Sequence, residues 1–153
     1  FEQMETLRAT SAMPFVSKMV EIDGKKYLDG GIADSIPLRF CQQLGYDKII
    51  VILTRPLDYR KTPTNPLIFK AFYRRYPKLV ERLSNRYADY NRAVEDVIRL
   101  DEQGEIFVIR PSITLPIRRI EKDVEKVQAM YDLGVKDAKT VIPALKRYLS
   151  EPF

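Results

Sequence analysis

Asp29, Gly30 and Gly31 stand together in the stretch KKYLDGGIADSIPL, residues 25–38, where a short extended run ends on a carboxylate and two residues without side chains. A carboxylate at the end of a strand could orient or deprotonate a nucleophile, because ligand sites in open α/β sheets lie beyond the carboxyl ends of strands. Gly30 and Gly31 allow unusual φ and let a second backbone or a ligand come close. The same three residues also make a plain turn in which the Asp side chain bonds nearby amides. Metal binding is the weaker reading, since Asp23, Asp29 and Asp34 show no ligand spacing.

The rest of the composition narrows the chemistry. The chain has no histidine, so it cannot by itself supply a Ser-His-Asp triad, a Cys-His pair or a usual zinc site. Its single cysteine, Cys41, excludes an internal disulfide and suits a reducing, cytoplasmic compartment; packing within a helix explains it better than a nucleophilic role. With 153 residues, 45% hydrophobic and 31% charged, the chain reads as one globular domain. No apolar run approaches the ~18 residues of a membrane span, and no secretory signal is visible. No metal or organic cofactor is implied.

Several elements must position the Asp-Gly-Gly. Residues 1–12 read as a helix with Met4, Leu7 and Ser11 or Ala12 along one side, stopped before Pro14. Asp23-Gly24 between two short extended runs signals a two-residue hairpin, with Glu21 facing Lys26 and Met19 facing Leu28. Ser35 is expected to cap a helix carrying Pro37 in its first turn, Ile36, Phe40 and Leu44 on one face, and Gly45 past its end. KIIVILT, residues 48–54, reads as a strand covered on both faces, as in a parallel sheet between helix layers. A proline-rich connector, helices near 66–75 and 78–102, a strand in EIFVIRPS and a helix over 118–149 broken near Gly134 complete the order. The expected class is therefore α/β: part of a three-layer open sheet with a β-hairpin and a helical insertion. Only two central strands are visible, which suggests that part of a larger domain lies outside the chain. The expected division within one domain is 1–56, a basic helical insertion over 57–104, and a strand with C-terminal helices over 105–153.

The surroundings of the Asp-Gly-Gly resemble the patatin-like phospholipase family. ATSAMPF, VEIDGKKYLDGG, DSIPL and DKIIVILTRP follow one another in that family's order, most firmly over residues 9–56. YPKLVERLSNRYADYN, EIFVIRPS and MYDLGVKDA look like the tail of a bacterial branch. The resemblance implies a serine lipid acyl hydrolase with a Ser-Asp dyad, Asp29 being the acidic member and Gly30 and Gly31 completing its motif. The family's serine sits in a G-x-S-x-G elbow on a strand-to-helix turn. This sequence contains no G-x-S-x-G, and the family's glycine-rich oxyanion motif is also missing. The expectation is thus the C-terminal portion of a longer enzyme, inactive alone, with the nucleophile in the missing N-terminal part. An Asp near its ordinary pKa of ~3.9 is a weak base for a hydroxyl, and burial in a dry cleft would strengthen it. Ser11 and Ser35 lie in no elbow.

The formal net charge of +5 is uneven. Residues 59–92 hold nine Lys or Arg against Glu81 and Asp89, interleaved with seven aromatics. Such a block suits an anionic lipid surface, here the inner membrane face, where it would guide a lipid or ester substrate. It suits single-stranded nucleic acid less well. It is also what a solvated helix face over an aromatic core looks like. The alternative function is accordingly a non-catalytic module that binds anionic membrane surfaces through these helices.

Overall fold

The computed structural model describes residues 2–118 and 120–150. Phe1 and Arg119, which fall in the two helices expected over 1–12 and 118–149, lie outside the described residues. The architecture is mixed α/β, with two two-stranded sheets among the described residues in place of one larger open sheet. The chain resolves into two compact units. One is drawn from the residues up to Pro37 together with Arg60–Val94; the other from Leu38–Tyr59 together with the residues from Glu95 on.

The first unit is built around the hairpin. Asp23 and Gly24 take φ of 51° and 70°, the left-handed pair that a tight two-residue turn demands. Strands β1 (Val20–Ile22) and β2 (Lys25–Tyr27) pair antiparallel with Glu21 opposite Lys26, as the sequence predicts. Met19 and Leu28 fall just beyond the ladder. Helix α1 (Glu2–Thr10) lies on this hairpin through Ala9, Ala12 and Val20, with Ile22 and Leu28 packed against them. Small alanines at the contact let the helix sit close, so the apolar face differs from the expected one: Met4 and Leu7 point away and are exposed. Helix α3 (Pro66–Tyr73) and the start of α4 (Pro77–Glu102) supply a second cluster of Ile32, Phe69, Val80 and Leu83. Asn65 caps α3 by accepting from the Leu67 amide at 3.0 Å.

The second unit holds β3 (Ile50–Ile52) and β4 (Phe107–Ile109), paired in parallel with Ile50 opposite Phe107. The parallel pairing is as predicted; the burial is not. Ile50 and Ile52 remain 41% and 72% exposed, because β3 has β4 as its strand partner among the described residues and alternate side chains face opposite sides. Helix α2 (Leu38–Gln43) is short, and Phe40 and Leu44 are exposed where a buried face is expected. Gly45, at φ 71°, ends it as predicted. The core here is Val97, Leu100, Ile106 and Val108, with Val97 wholly buried. Helix α5 (Val124–Ser150) packs on β4 and runs unbroken through Gly134 and Pro143. It starts at Val124 because Asp123 Oδ1 accepts from the Glu125 amide at 3.1 Å. Gly costs a helix about 1 kcal/mol and an interior Pro about 3, so the long run of good helix formers and the docking on β4 outweigh both. Tyr148 ties α5 to the sheet: its hydroxyl accepts from the Ile49 amide at 3.2 Å and its ring meets Phe107 at 5.6 Å.

One ion pair in this unit sets an acid sensitivity. Arg39 Nη2 donates to Asp96 Oδ2 at 2.9 Å, with Arg99 at 3.6 Å from the other oxygen. The Arg39 hydrogen bond chiefly, and the two positive charges, hold the Asp96 carboxyl below its usual range. The folded state thus binds the Asp96 proton less readily than the unfolded state, and the stabilisation is full above about pH 4 and lost as pH falls through the depressed value. Arg39→Ala is expected to lower the denaturation midpoint slightly at neutral pH and to leave it equal to wild type near pH 2. Urea titrations at the two pH values check this, and a gap that persists in acid refutes it.

Candidate functional site

The Asp-Gly-Gly loop sits between two apolar anchors. Leu28 precedes it and packs on both clusters of the first unit, and Ile32 follows it, buried at 7% exposure. The Asp29 amide donates to the Ala12 carbonyl at 2.9 Å, so the end of α1 holds the loop's backbone. Gly30–Ile32 forms a single 3-10 turn with Asp29 as its cap. The Gly31 amide donates to Asp29 Oδ1 at 2.7 Å, which fixes one carboxylate oxygen. The other, Oδ2, takes no hydrogen bond from any described residue, and the side chain is half-buried. The plain-turn reading and the chemical reading meet here: one oxygen does the turn's work while the other stays open.

Gly31 is closely set. A Cβ there would lie 3.0 Å from Asp29 Oδ1 and 3.3 Å from Arg86 Nη2. Gly30 is less constrained, with Thr10 Oγ1 at an ordinary 3.5 Å from the same imagined atom.

Two arginines of α4 clasp the loop's carbonyls. Arg86 Nε donates to Gly31 O at 2.8 Å, and Arg82 Nη2 donates to Ala33 O. The four-residue spacing places both on one helix face. Asp89 steadies this face, 3.2 Å from Arg82 Nη1 and 2.5 Å from Arg92. The nitrogens of Arg86 other than Nε have no hydrogen-bond acceptor among the described residues. In the sequence, Arg82 and Arg86 belong to the basic block, and nothing there ties them to the loop. Their four-residue spacing names a helix face without naming the carbonyls that face meets.

Ser35, expected as a helix cap, instead donates its Oγ to Gly31 O at 2.7 Å. That carbonyl thus accepts twice, from Ser35 and from Arg86. Asp34 does the local capping by accepting from the Ile36 amide at 3.0 Å, and Pro37 stands just before α2 rather than in its first turn. Ser11 turns its Oγ back to Leu7 O and Arg8 O at 3.1 and 3.2 Å, the usual habit of a serine at a helix end. Cys41 is a free, half-buried thiol on α2. Among the described residues no group of three or more Cys, Asp or Glu gathers to hold a metal. A cavity of about 390 Å³ beside Arg8, Ser11 and Met19 does not include Asp29.

Comparison with known proteins divides the chain. Residues 1–41 match the patatin-like phospholipase family, which covers the Asp-Gly-Gly and stops within α2. That short match points to the lipid hydrolases. Residues 76–150 match a domain of unknown function (DUF6363), which covers α4, β4 and α5. The chain is 39% identical over 61 residues to the uncharacterized protein YjjU of Escherichia coli (strain K12). That stretch is 39% of this chain and 17% of the relative's length. No helix among the described residues is long and apolar enough to cross a membrane.

Proposed function

We propose that this chain carries the acidic half of a Ser-Asp dyad in a patatin-like lipid acyl hydrolase, with Asp29 as general base and orienter and the serine supplied from elsewhere in the protein. The observation that carries this is the Asp29 carboxylate, one oxygen tied to the Gly31 amide and the other open, inside the segment that matches the patatin-like family. In the reaction, the open carboxylate oxygen takes the serine proton as Oγ attacks the ester carbonyl. The proton passes to the departing alcohol, leaving an acyl-enzyme that water hydrolyses by the reverse roles. The substrate class is a carboxylic ester of a lipid. A dyad of this kind needs no histidine between the carboxylate and the serine.

Fluorophosphonate labelling of the intact protein, with the labelled peptide mapped by mass, tests this reading. The label is expected on a serine within a G-x-S-x-G outside the present sequence. A folded, intact protein that takes no label, or takes it on Ser11 or Ser35, removes the dyad. A second reading, a module that binds anionic membrane surfaces through the basic aromatic helices, draws on the exposed face of α3.

A further inference from the structure

Helix α3 has three kinds of face. Phe69 and Tyr73 turn inward to the first unit's core. Leu67, Ile68 and Phe72 point outward, at 66%, 46% and 70% exposure. Lys70 and Arg74 occupy the arc beside them, also exposed. Phe15 and Val16, in the turn after α1, extend the apolar face at 48% and 53% exposure. The Phe15 ring lies 5.2 Å from Phe72, edge-on, and 5.9 Å from Phe69.

The Phe15 conformation is unusual. Its φ is 67°, a left-handed value that a bulky residue rarely adopts. The Tyr73 hydroxyl holds it there by accepting from the Phe15 amide at 3.0 Å. Strain of this kind persists only where the surroundings over-determine it, and it concentrates at functional positions. Here its effect is to lay the phenyl ring against Phe69, Phe72 and Tyr73 while about half of the residue stays exposed.

The charge along α3 and the turn that follows it has one sign. Residues 62–80 contain Lys70, Arg74, Arg75 and Lys78 and no Asp or Glu. None of these four cations forms an ion pair with a described residue. Lys26 of the hairpin, opposite Glu21, donates to Tyr76 Oη at 3.2 Å beside Arg75. A second copy of the chain would bring these like charges against each other, which disfavours self-association through this face. The exposed side chains are mostly aliphatic, so they offer few platforms for bases. Apolar side chains beside unpaired cations match the acyl boundary and headgroup layer of an anionic bilayer.

We infer that α3, with Phe15 and Val16, docks on an anionic phospholipid surface, inserting Leu67, Ile68 and Phe72 at the headgroup boundary while Lys70, Arg74, Arg75 and Lys78 meet lipid phosphates. The inference stands on this face alone and does not require Asp29 to be catalytic.

Co-sedimentation of the intact protein with vesicles tests it, using phosphatidylcholine alone or with phosphatidylglycerol admixed. Binding to the anionic vesicles is expected to be at least tenfold stronger, and to weaken as salt is added. The pair Lys70→Glu and Arg74→Glu should erase that preference, since each cation near the surface is worth about fivefold in binding. The pair Leu67→Ser and Phe72→Ser, at exposed positions that leave the fold intact, should lower binding to the anionic vesicles about tenfold with the charge unchanged. Equal binding to neutral and anionic vesicles overturns the inference, as does wild-type binding by both variants. A Phe72→Cys variant that resists maleimide in the free intact protein, with every other cysteine of that protein replaced by Ser, also overturns it, because another segment then covers the patch. So does a single-stranded oligonucleotide that displaces the protein from vesicles at equal phosphate. Loss of hydrolysis in Asp29→Asn with vesicle binding intact separates this inference from the dyad.

Discussion

Asp29→Asn in the intact protein is expected to lower turnover of a soluble acyl ester by roughly 10³-fold or more, with the unfolding transition unmoved. General acid–base groups contribute about 10²–10⁴-fold, and in a dyad the same carboxylate also orients the nucleophile, so the upper part of that range applies. Asparagine keeps what the fold needs. Its amide oxygen can still accept from the Gly31 amide, which Asp29 Oδ1 does at 2.7 Å, and the Asp29 backbone bond to Ala12 is unaffected. What Asn cannot do is take a proton at the open oxygen. Asp29→Ala is the less clean variant, because it also removes the cap of the 3-10 turn, a loss worth about 1 kcal/mol. The measurement is steady-state hydrolysis of a chromogenic ester beside a thermal melt of both variants. Turnover within a few fold of wild type by a folded Asp29→Asn protein would sink the dyad.

The parts of the fold visible in the sequence are those dictated locally. Asp23-Gly24 demands a left-handed pair of residues, and the hairpin and its register follow. Gly45 and Gly104, at φ 71° and 73°, end their helices for the same reason. The bounds of α3 and α4 follow from Pro66, Pro77 and the helical spacing between them. The failures concern burial and partners, which depend on tertiary neighbours. Met4, Leu7, Phe40, Leu44 and Ile52 are apolar at the right period yet exposed, since periodicity says which residues share a face and not whether anything covers it. The continuity of α5 through Gly134 and Pro143 depends on its docking against β4. Ser35 shows the limit most clearly. Its position before Pro37 suits a cap, yet its hydroxyl donates to Gly31 O at 2.7 Å while Asp34 takes the Ile36 amide. Asp29 was legible as a candidate from its motif. Its support by Arg82 and Arg86, more than fifty positions along the chain, was not.

That support carries the second large effect. Arg86→Ala in the intact protein is expected to lower kcat about 10- to 100-fold, with KM little changed and a stability loss of about 1 kcal/mol. The stability cost is small because Gly31 O keeps its bond from Ser35 Oγ at 2.7 Å, so no buried acceptor is orphaned when the 2.8 Å bond from Arg86 Nε is lost. The catalytic cost is larger because the guanidinium does two things at once. It fixes the carbonyl of the residue whose amide holds Asp29 Oδ1, and its planar group crowds the Cα of that same residue, 3.3 Å from where a Cβ would stand. A shift of about 1 Å in a reacting group can cost 10²-fold. Arg86→Lys should recover little, since a flexible ammonium does not reproduce the fixed Nε–H bond that a planar guanidinium makes to Gly31 O. A double-mutant cycle distinguishes a positioning role from a general loosening of the fold. If Arg86 acts through Asp29, adding Arg86→Ala to Asp29→Asn should lower the residual rate by less than twofold, whereas independent effects would multiply. Full multiplication, or an unchanged kcat in the single variant, would leave Arg86 as a structural tie and assign the placement of Asp29 to Leu28, Ile32 and the Ala12 carbonyl alone.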